Sequence, residues 1–465
     1  MSHLRIPVEI SSKPMTRNLF FALTLLLAGW TSADQAPNFL LITVDDMSAD
    51  SLGSFGCPLP DTSPNIDALA KQSLKFAHAH VQVGNCYPSR NVMWSGRYPH
   101  NTGVEGFYKI QPIDFPMLSD VMQGAGYHCT IRGKVTHSTP YNPYSWDLDA
   151  SVAPDGSKFP IKDVPSYGTS TTMGIEAAKA AGKPFCINVN ISDPHKPFWY
   201  PNDKHPASKE FSAEEVPIPG FLFDDPEVRE ELALYYTSVR RADDAVGAIL
   251  QALEDSGEAD NTVIFFLSDH GMPLPFAKTQ LYHHSSHTPL LIRWPGVTKD
   301  GSTDEAHMVS AVDFMPTLCD IAGIEHPEGF DGRSFEPLLR GATQEGRDFV
   351  YKVYNENSGR QRTPMRAVQT KDFLYLYNPW SDGERIMKTA TKGTQTYKRM
   401  QALAETDDAI KARLHVMDHR EREELYHIAK DPDCLVNLAT NPEYEAQLAK
   451  HHTKLETIMT ETGDH

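Results

Sequence analysis

Two apolar runs in this chain end in acidic residues. Asn38 to Val44 (NFLLITV) runs into Asp45-Asp46, and Val263 to Leu267 (VIFFL) runs into Ser268-Asp269-His270-Gly271. Three carboxylates and an imidazole brought to one edge would be hard to hold together unless a cation sat among them. At a strand end the backbone turns, so Asp45 and Asp46 can both reach one ion. An oxygen-rich donor set of this kind suits calcium or magnesium rather than zinc, and His270 is a softer ligand than such an ion prefers. The competing explanation is that each acidic end only caps a following helix, which for either end alone is equally good. Between the two ends lies Asn85-Cys86-Tyr87-Pro88-Ser89-Arg90, continued by Ser95-Gly96-Arg97-Tyr98-Pro99-His100-Asn101-Thr102-Gly103. On its own, Cys86 could be a reactive thiol, a buried thiol or half of a disulfide.

The elements that must position these groups read as α/β. Asn38 to Val44 is almost continuously apolar, as a strand buried on both faces should be. Ser63-Pro64-Asn65 opens a helix that puts Ile66, Leu69, Ala70 and Leu74 on one face. Phe185 to Ile191 is a second buried strand, Tyr235 to Leu253 an amphipathic helix, Val263 to Leu267 a third strand, and Pro289 to Trp294 another. Strand and helix in alternation predict a mostly parallel sheet with helices on both faces, and functional groups gather at the carboxyl ends of such strands. Met365 to Tyr377 reads as a strand pair and Thr389 to Arg422 as charged helix. The polar stretch Gly341 to Asp348 separates this C-terminal part, which shows no chemistry of its own and reads as a cap.

The chain has 465 residues, 40% hydrophobic and 22% charged, as expected of a folded protein that buries a large core. Its formal net charge of -18 argues against nucleic acid as a partner. An anionic substrate would have to be drawn by a local cationic pocket. Arg17, the apolar run Leu19 to Ala28 and Thr31-Ser32-Ala33 describe a secretory signal peptide over residues 1–33, with Met15 a candidate start. No other stretch reads as transmembrane, so the expected product is exported and free of the membrane once the signal is cleaved. Of the six cysteines, Cys129 and Cys186 read as small core residues.

Taken with its continuation and the two acidic ends, the Cys86 segment resembles the type I, formylglycine-dependent sulfatase family of the alkaline-phosphatase-like superfamily. That family's signature is Cys-x-Pro-Ser-Arg followed by Thr/Ser-Gly-Arg-Tyr-Pro; Cys86, Pro88, Ser89 and Arg90 match the first part and Ser95 to Pro99 the second. Gly133-Lys134-Val135-Thr136-His137 looks like the family's Gly-Lys-x-His segment with one extra residue, as in iduronate-2-sulfatase-like members. Ser268 to Tyr282, Pro364 to Gln369 and Glu424 to Leu438 resemble N-sulfoglucosamine sulfohydrolase-like members. His270 departs from the Asn that many members carry there, and Lys278 stands where some carry Arg, so a bidentate fork on the sulfate would be lost.

The boundary near Gly341 to Asp348 divides the chain into a catalytic domain at 34–345, which the resemblance implies is alkaline-phosphatase-like, and a smaller α+β subdomain at 346–465. The resemblance also implies that a maturation enzyme oxidises Cys86 to formylglycine during export. One hydroxyl of the aldehyde hydrate would attack sulfur and the second would eject sulfate, where a serine would stall as an ester. Asp45, Asp46, Cys86, Asp269 and His270 would hold a cation, calcium ahead of magnesium. Arg90 would steady the hydrate, Lys134 and Lys278 would bind sulfate, His137 would move the hydrate proton and His195 would protonate the leaving group. The implied reaction is hydrolysis of a sulfate ester or sulfamate on a saccharide, by a secreted, periplasmic or lysosomal enzyme. Two alternatives stand beside it: a phosphonate or phosphodiester hydrolase of the same superfamily, or a non-catalytic sulfated-glycan binding protein if Cys86 stays a thiol. His283, His284 and His287 are expected near the mouth of the pocket, reading a sugar or merely packing.

Overall fold

A computed structural model describes residues 36–465; the expected signal segment lies outside them. The first eight strands form one sheet: β1 Asn38–Asp45, β2 Leu74–His80, β3 His128–Arg132, β4 Leu148–Asp149, β5 Phe185–Pro194, β6 Thr262–Ser268, β7 Leu290–Arg293 and β8 Ser302–Ser310. They lie in the order β4-β3-β5-β1-β6-β7-β2-β8. Every pairing is parallel except those of β7 with β6 and β2. The chain returns from β6 to β7 without a long crossover helix, which leaves β7 antiparallel.

Side-chain alternation along β1 divides the core. Leu40, Ile42 and Val44 pack on one face with the helices Val164–Ala181 and Pro226–Ser256; Phe39 and Leu41 pack on the other with Trp94, Phe314 and Leu318. Each such side chain contributes roughly 1.5–3 kcal/mol on full burial. The helix Pro226–Ser256 begins nine residues before the expected Tyr235, because Asp225 accepts from Glu227 N and Pro226 fits the first turn. Conversely, the helix opened by Ser63-Pro64 ends at Ala70, so Leu74 is not on its face but starts β2.

A second, antiparallel sheet holds β9 Phe349–Glu356, β10 Arg362–Thr370, β11 Leu374–Tyr377 and β12 Glu423–Tyr426, in the order β12-β11-β10-β9. The expected strand pair is β10 and β11; β9 and β12 were not foreseen. The helices Gln395–Leu403 and Asp408–His419 fill the charged stretch. All six cysteines are free thiols, with Cys129 and Cys186 buried opposite each other across β3 and β5. Among the described residues no helix is long and apolar enough to cross a membrane.

Candidate active site

The two acidic ends emerge side by side because β1 and β6 are parallel neighbours with Val44 opposite Ser268. Asp46 turns the chain at φ 68°, a left-handed conformation that costs a residue with a Cβ roughly 1–3 kcal/mol. Around that turn Asp46 N donates to Asp269 Oδ1 at 3.1 Å and Met47 N to Ser268 Oγ at 3.0 Å. Asp45, Asp46, Asp269 and His270 are all fully buried.

Cys86 opens the helix Cys86–Ser95, every residue of which is buried, with Asn85 as its N-cap. Gly84 before it has no room for a side chain, since a Cβ would lie 2.4 Å from Gln280 O. One donor atom from each of Asp45, Cys86, Asp269 and His270 lies within 4.8 Å of the others. His137 and His270 stand beside the Cys86 thiol. Burial would raise that thiol, yet Lys134, with help from these two histidines and Lys278, holds it well below the ordinary cysteine range.

Each carboxylate has its own cation. Arg90, one turn after Cys86, donates Nε to Asp269 Oδ2 at 3.0 Å and sets Nη2 2.9 Å from the same oxygen. Lys134 Nζ lies 2.5 Å from Asp45 Oδ2, and Lys278 Nζ lies 2.8 and 2.6 Å from the two oxygens of Asp46. His270 Nε2 is 3.0 Å from Asp46 Oδ1. Burial pulls the other way, but Asp269 and Asp46 raise His270 to about 9. Asp45 Oδ1 is buried, accepts no hydrogen bond, and is 3.6 Å from the nearest Arg90 nitrogen. A hydrogen-bond-free carboxylate oxygen among other carboxylates fits a divalent cation, because coordination would satisfy what burial leaves unmet.

The residues expected to hold the cation and the sulfate come to this edge, by different contacts. Lys134 and His137 are carried there by the turn after β3, where Gly133 and Lys134 both have positive φ. A Cβ on Gly133 would lie 2.7 Å from Asn190 O. His195 follows β5, half-buried, and acts electrostatically on Asp45 and Asp46; its Nδ1 faces Lys196 O at 2.5 Å. Lys162 holds that loop, donating to Asp193 Oδ1 and to His195 O, each at 2.7 Å. Arg241 holds Asp193 from the other side at 2.7 Å.

Two arrangements were not foreseen. His283 and His287 pack against the second sheet, half-buried, rings stacked 4.9 Å apart, with His80, Lys352 and Gln369 as neighbours. His284 pairs with Asp433 at 3.1 Å. Also unforeseen, Asn190 of β5 accepts from Arg90 Nη1 and donates to Gly133 O at 3.1 Å, joining the two cation-bearing segments. The readable signal was the pair of amides, Asn188 and Asn190, inside an otherwise apolar strand. Asn357, just after β9, lies 3.5 Å from Asn85, so the C-terminal part reaches the residue before Cys86.

Residues 37–324 match the family model described as Sulfatase, and residues 269–384 match the one described as N-sulphoglucosamine sulphohydrolase, C-terminal. An ulvan-active sulfatase of Formosa agariphila is 27% identical over 93% of this chain and 82% of its own length. The N-sulphoglucosamine sulphohydrolase of Homo sapiens is 28% identical over 92% of this chain and 90% of its own. Among solved structures, the phosphonate monoester hydrolase of Agrobacterium radiobacter superposes with a TM-score of 0.68, at 20% identity over 92% of this chain and 96% of that one.

Proposed function

The chain belongs to the sulfatase family, and from that premise we propose that it hydrolyses a sulfate ester or sulfamate on a saccharide, with a nucleophile made by oxidising Cys86 to formylglycine. Relatives named for ulvan and for N-sulfoglucosamine, each aligned over most of both chains, support a glycan substrate. The observation that carries the reading is the meeting of Cys86 with His137 and His270, beside Asp45 and Asp269, at a helix N-terminus.

The Cys86 thiol stands where the family's aldehyde hydrate would sit, which supplies one hydroxyl to take the sulfuryl group and a second to release it. Asp45, Asp46, Asp269 and His270 would hold a cation, calcium ahead of magnesium, whose charge favours an ionised hydroxyl at Cys86. Lys134 and Lys278 bring positive charge to the same point and would bind the sulfate oxygens. Arg90 fixes Asp269 and offsets charge at residue 86. His137 stands beside residue 86 and would carry its proton, while His195 would donate to the leaving oxygen or nitrogen. An exported location, after removal of residues 1–33, and a formylglycine-generating partner complete the proposal.

Mass spectrometry of the tryptic peptide around Cys86 tests it, since conversion of thiol to aldehyde removes roughly 18 Da. Rates on a sulfate ester and a matched phosphodiester then decide the chemistry. A phosphodiester preferred by about two powers of ten, roughly 2.7 kcal/mol in the barrier, would overturn the sulfatase assignment.

A further inference from the structure

Three separate segments meet beside the site, near His137 and Asn85. The loop 104–113 follows the signature, the loop 139–146 follows His137, and the tip 357–361 joins β9 to β10. Ile110 N donates to Pro140 O at 3.0 Å and Gln111 Nε2 to Asn142 O at 2.6 Å, which fastens the first loop to the second. Gly106 is pressed so close to Glu356 that a Cβ would lie 2.4 Å from its carboxylate, which fastens the first loop to β9.

The side chains on this wall are aromatic. The rings of Tyr87 and Phe107 stand 5.1 and 5.9 Å from the imidazole of His137, and 6.0 Å from each other. Tyr87 is only 5% exposed, yet its hydroxyl has no hydrogen-bond partner. Phe107 and Tyr108 are half-buried, as surfaces that receive a ligand would be. Tyr87 follows residue 86 directly and packs against His137, so the wall begins one residue away from the reacting group.

Cations edge the same wall. The Arg360 guanidinium lies 4.8 Å over the Tyr108 ring and Lys109 Nζ lies 5.5 Å over Tyr144, both side chains exposed. The carboxylates close by, Glu105 and Glu356, are taken up by Arg362. On a chain of net charge -18, exposed cations gathered beside an aromatic wall mark a place for a negative group.

We propose that Phe107 and Tyr108, backed by the buried Tyr87, receive the apolar face of the sulfated sugar ring, and that Lys109 and Arg360 bind a second anionic group on the glycan, a carboxylate or a further sulfate. This rests on the sulfatase reading above and adds to it the class of saccharide. A neutral sugar carrying a single sulfate would be a poor substrate, and a uronate-containing or multiply sulfated one a good substrate.

The test compares kcat/KM of the matured enzyme on p-nitrophenyl sulfate with that on two sulfated oligosaccharides, a trisulfated heparin disaccharide and an ulvan oligosaccharide. In the double variant Lys109→Ala, Arg360→Ala, the ratio of oligosaccharide to aryl-sulfate efficiency should fall at least about tenfold, through KM. Tyr108→Ala should move the ratio the same way. Loss of the wild-type advantage on the carboxyl-reduced oligosaccharide identifies the bound group as a carboxylate, and its retention identifies a sulfate. An unchanged ratio in the double variant overturns the subsite. Wild-type turnover of the aryl sulfate but of neither oligosaccharide overturns it while leaving the sulfatase reading intact. Turnover of none of the three overturns that reading and the subsite with it.

Discussion

Lys278 grips both oxygens of Asp46, at 2.8 and 2.6 Å, in a setting where Asp46 is wholly excluded from solvent. Removing one member of such a buried pair leaves the other uncompensated. Lys278→Met is therefore expected to cost on the order of 3–5 kcal/mol, and Lys278→Arg much less. Urea unfolding of the two variants checks this; equal midpoints for Lys278→Met and the wild type would refute it.

Metal removal should act on stability as well as rate. An ion bound only by the native state stabilises it by about 2.7 kcal/mol at a hundredfold excess over Kd. Chelation should thus lower the melting temperature and calcium should restore it. In Asp45→Asn, whose Oδ1 accepts no hydrogen bond in the native chain, calcium should no longer move the melting temperature. Calorimetric titration with calcium alone provides the same answer without turnover.

Asn190 positions rather than reacts. It accepts from Arg90 and donates to Gly133 O, so Asn190→Leu strands a buried guanidinium nitrogen at a cost of about 1–3 kcal/mol. We expect kcat to fall about tenfold or more with KM little changed, and Asn190→Ser to recover part of the loss. A fall in stability with kcat untouched would make the residue structural only.

Acid should loosen the joint between the two sheets. Burial, aided by the neighbouring His284, lowers His287 to about 4, and burial also holds His80 and His283 well below the usual histidine range. A histidine depressed in the folded state contributes stability that is complete above about 6.5 and lost as pH falls through about 4. For His287 alone that is on the order of 3 kcal/mol, because one pKa unit is worth about 1.4 kcal/mol. Urea midpoints measured from pH 7 to pH 4 should fall in the wild type and fall less steeply in His287→Phe.

The legible parts of this molecule were those where pattern and chemistry coincide. Asn38–Asp45 and Thr262–Ser268 are buried on both faces and end in acids, so composition alone located two strands and the edge that matters. Strands such as Leu74–His80, with polar residues among the apolar ones, carried no comparable signal. The site residues were legible because a motif put them in register. Their ion pairs were not, because the partner of Lys134 is 89 positions away and is chosen by sheet order. Phe107 and Arg360 sit in loops brought together by packing, which no spacing along the chain reveals.

Burial of Cys86 sets a deadline. Its side chain is 3% exposed at the head of a helix with no solvent-facing residue, and its floor includes Asp269, which arrives only when β6 pairs with β1. A thiol in that position offers almost no surface to another protein's active site. If Cys86 is oxidised by a partner enzyme as proposed, that step would have to precede the docking of a strand synthesised some 180 residues later, and a chain that folded first would keep its thiol.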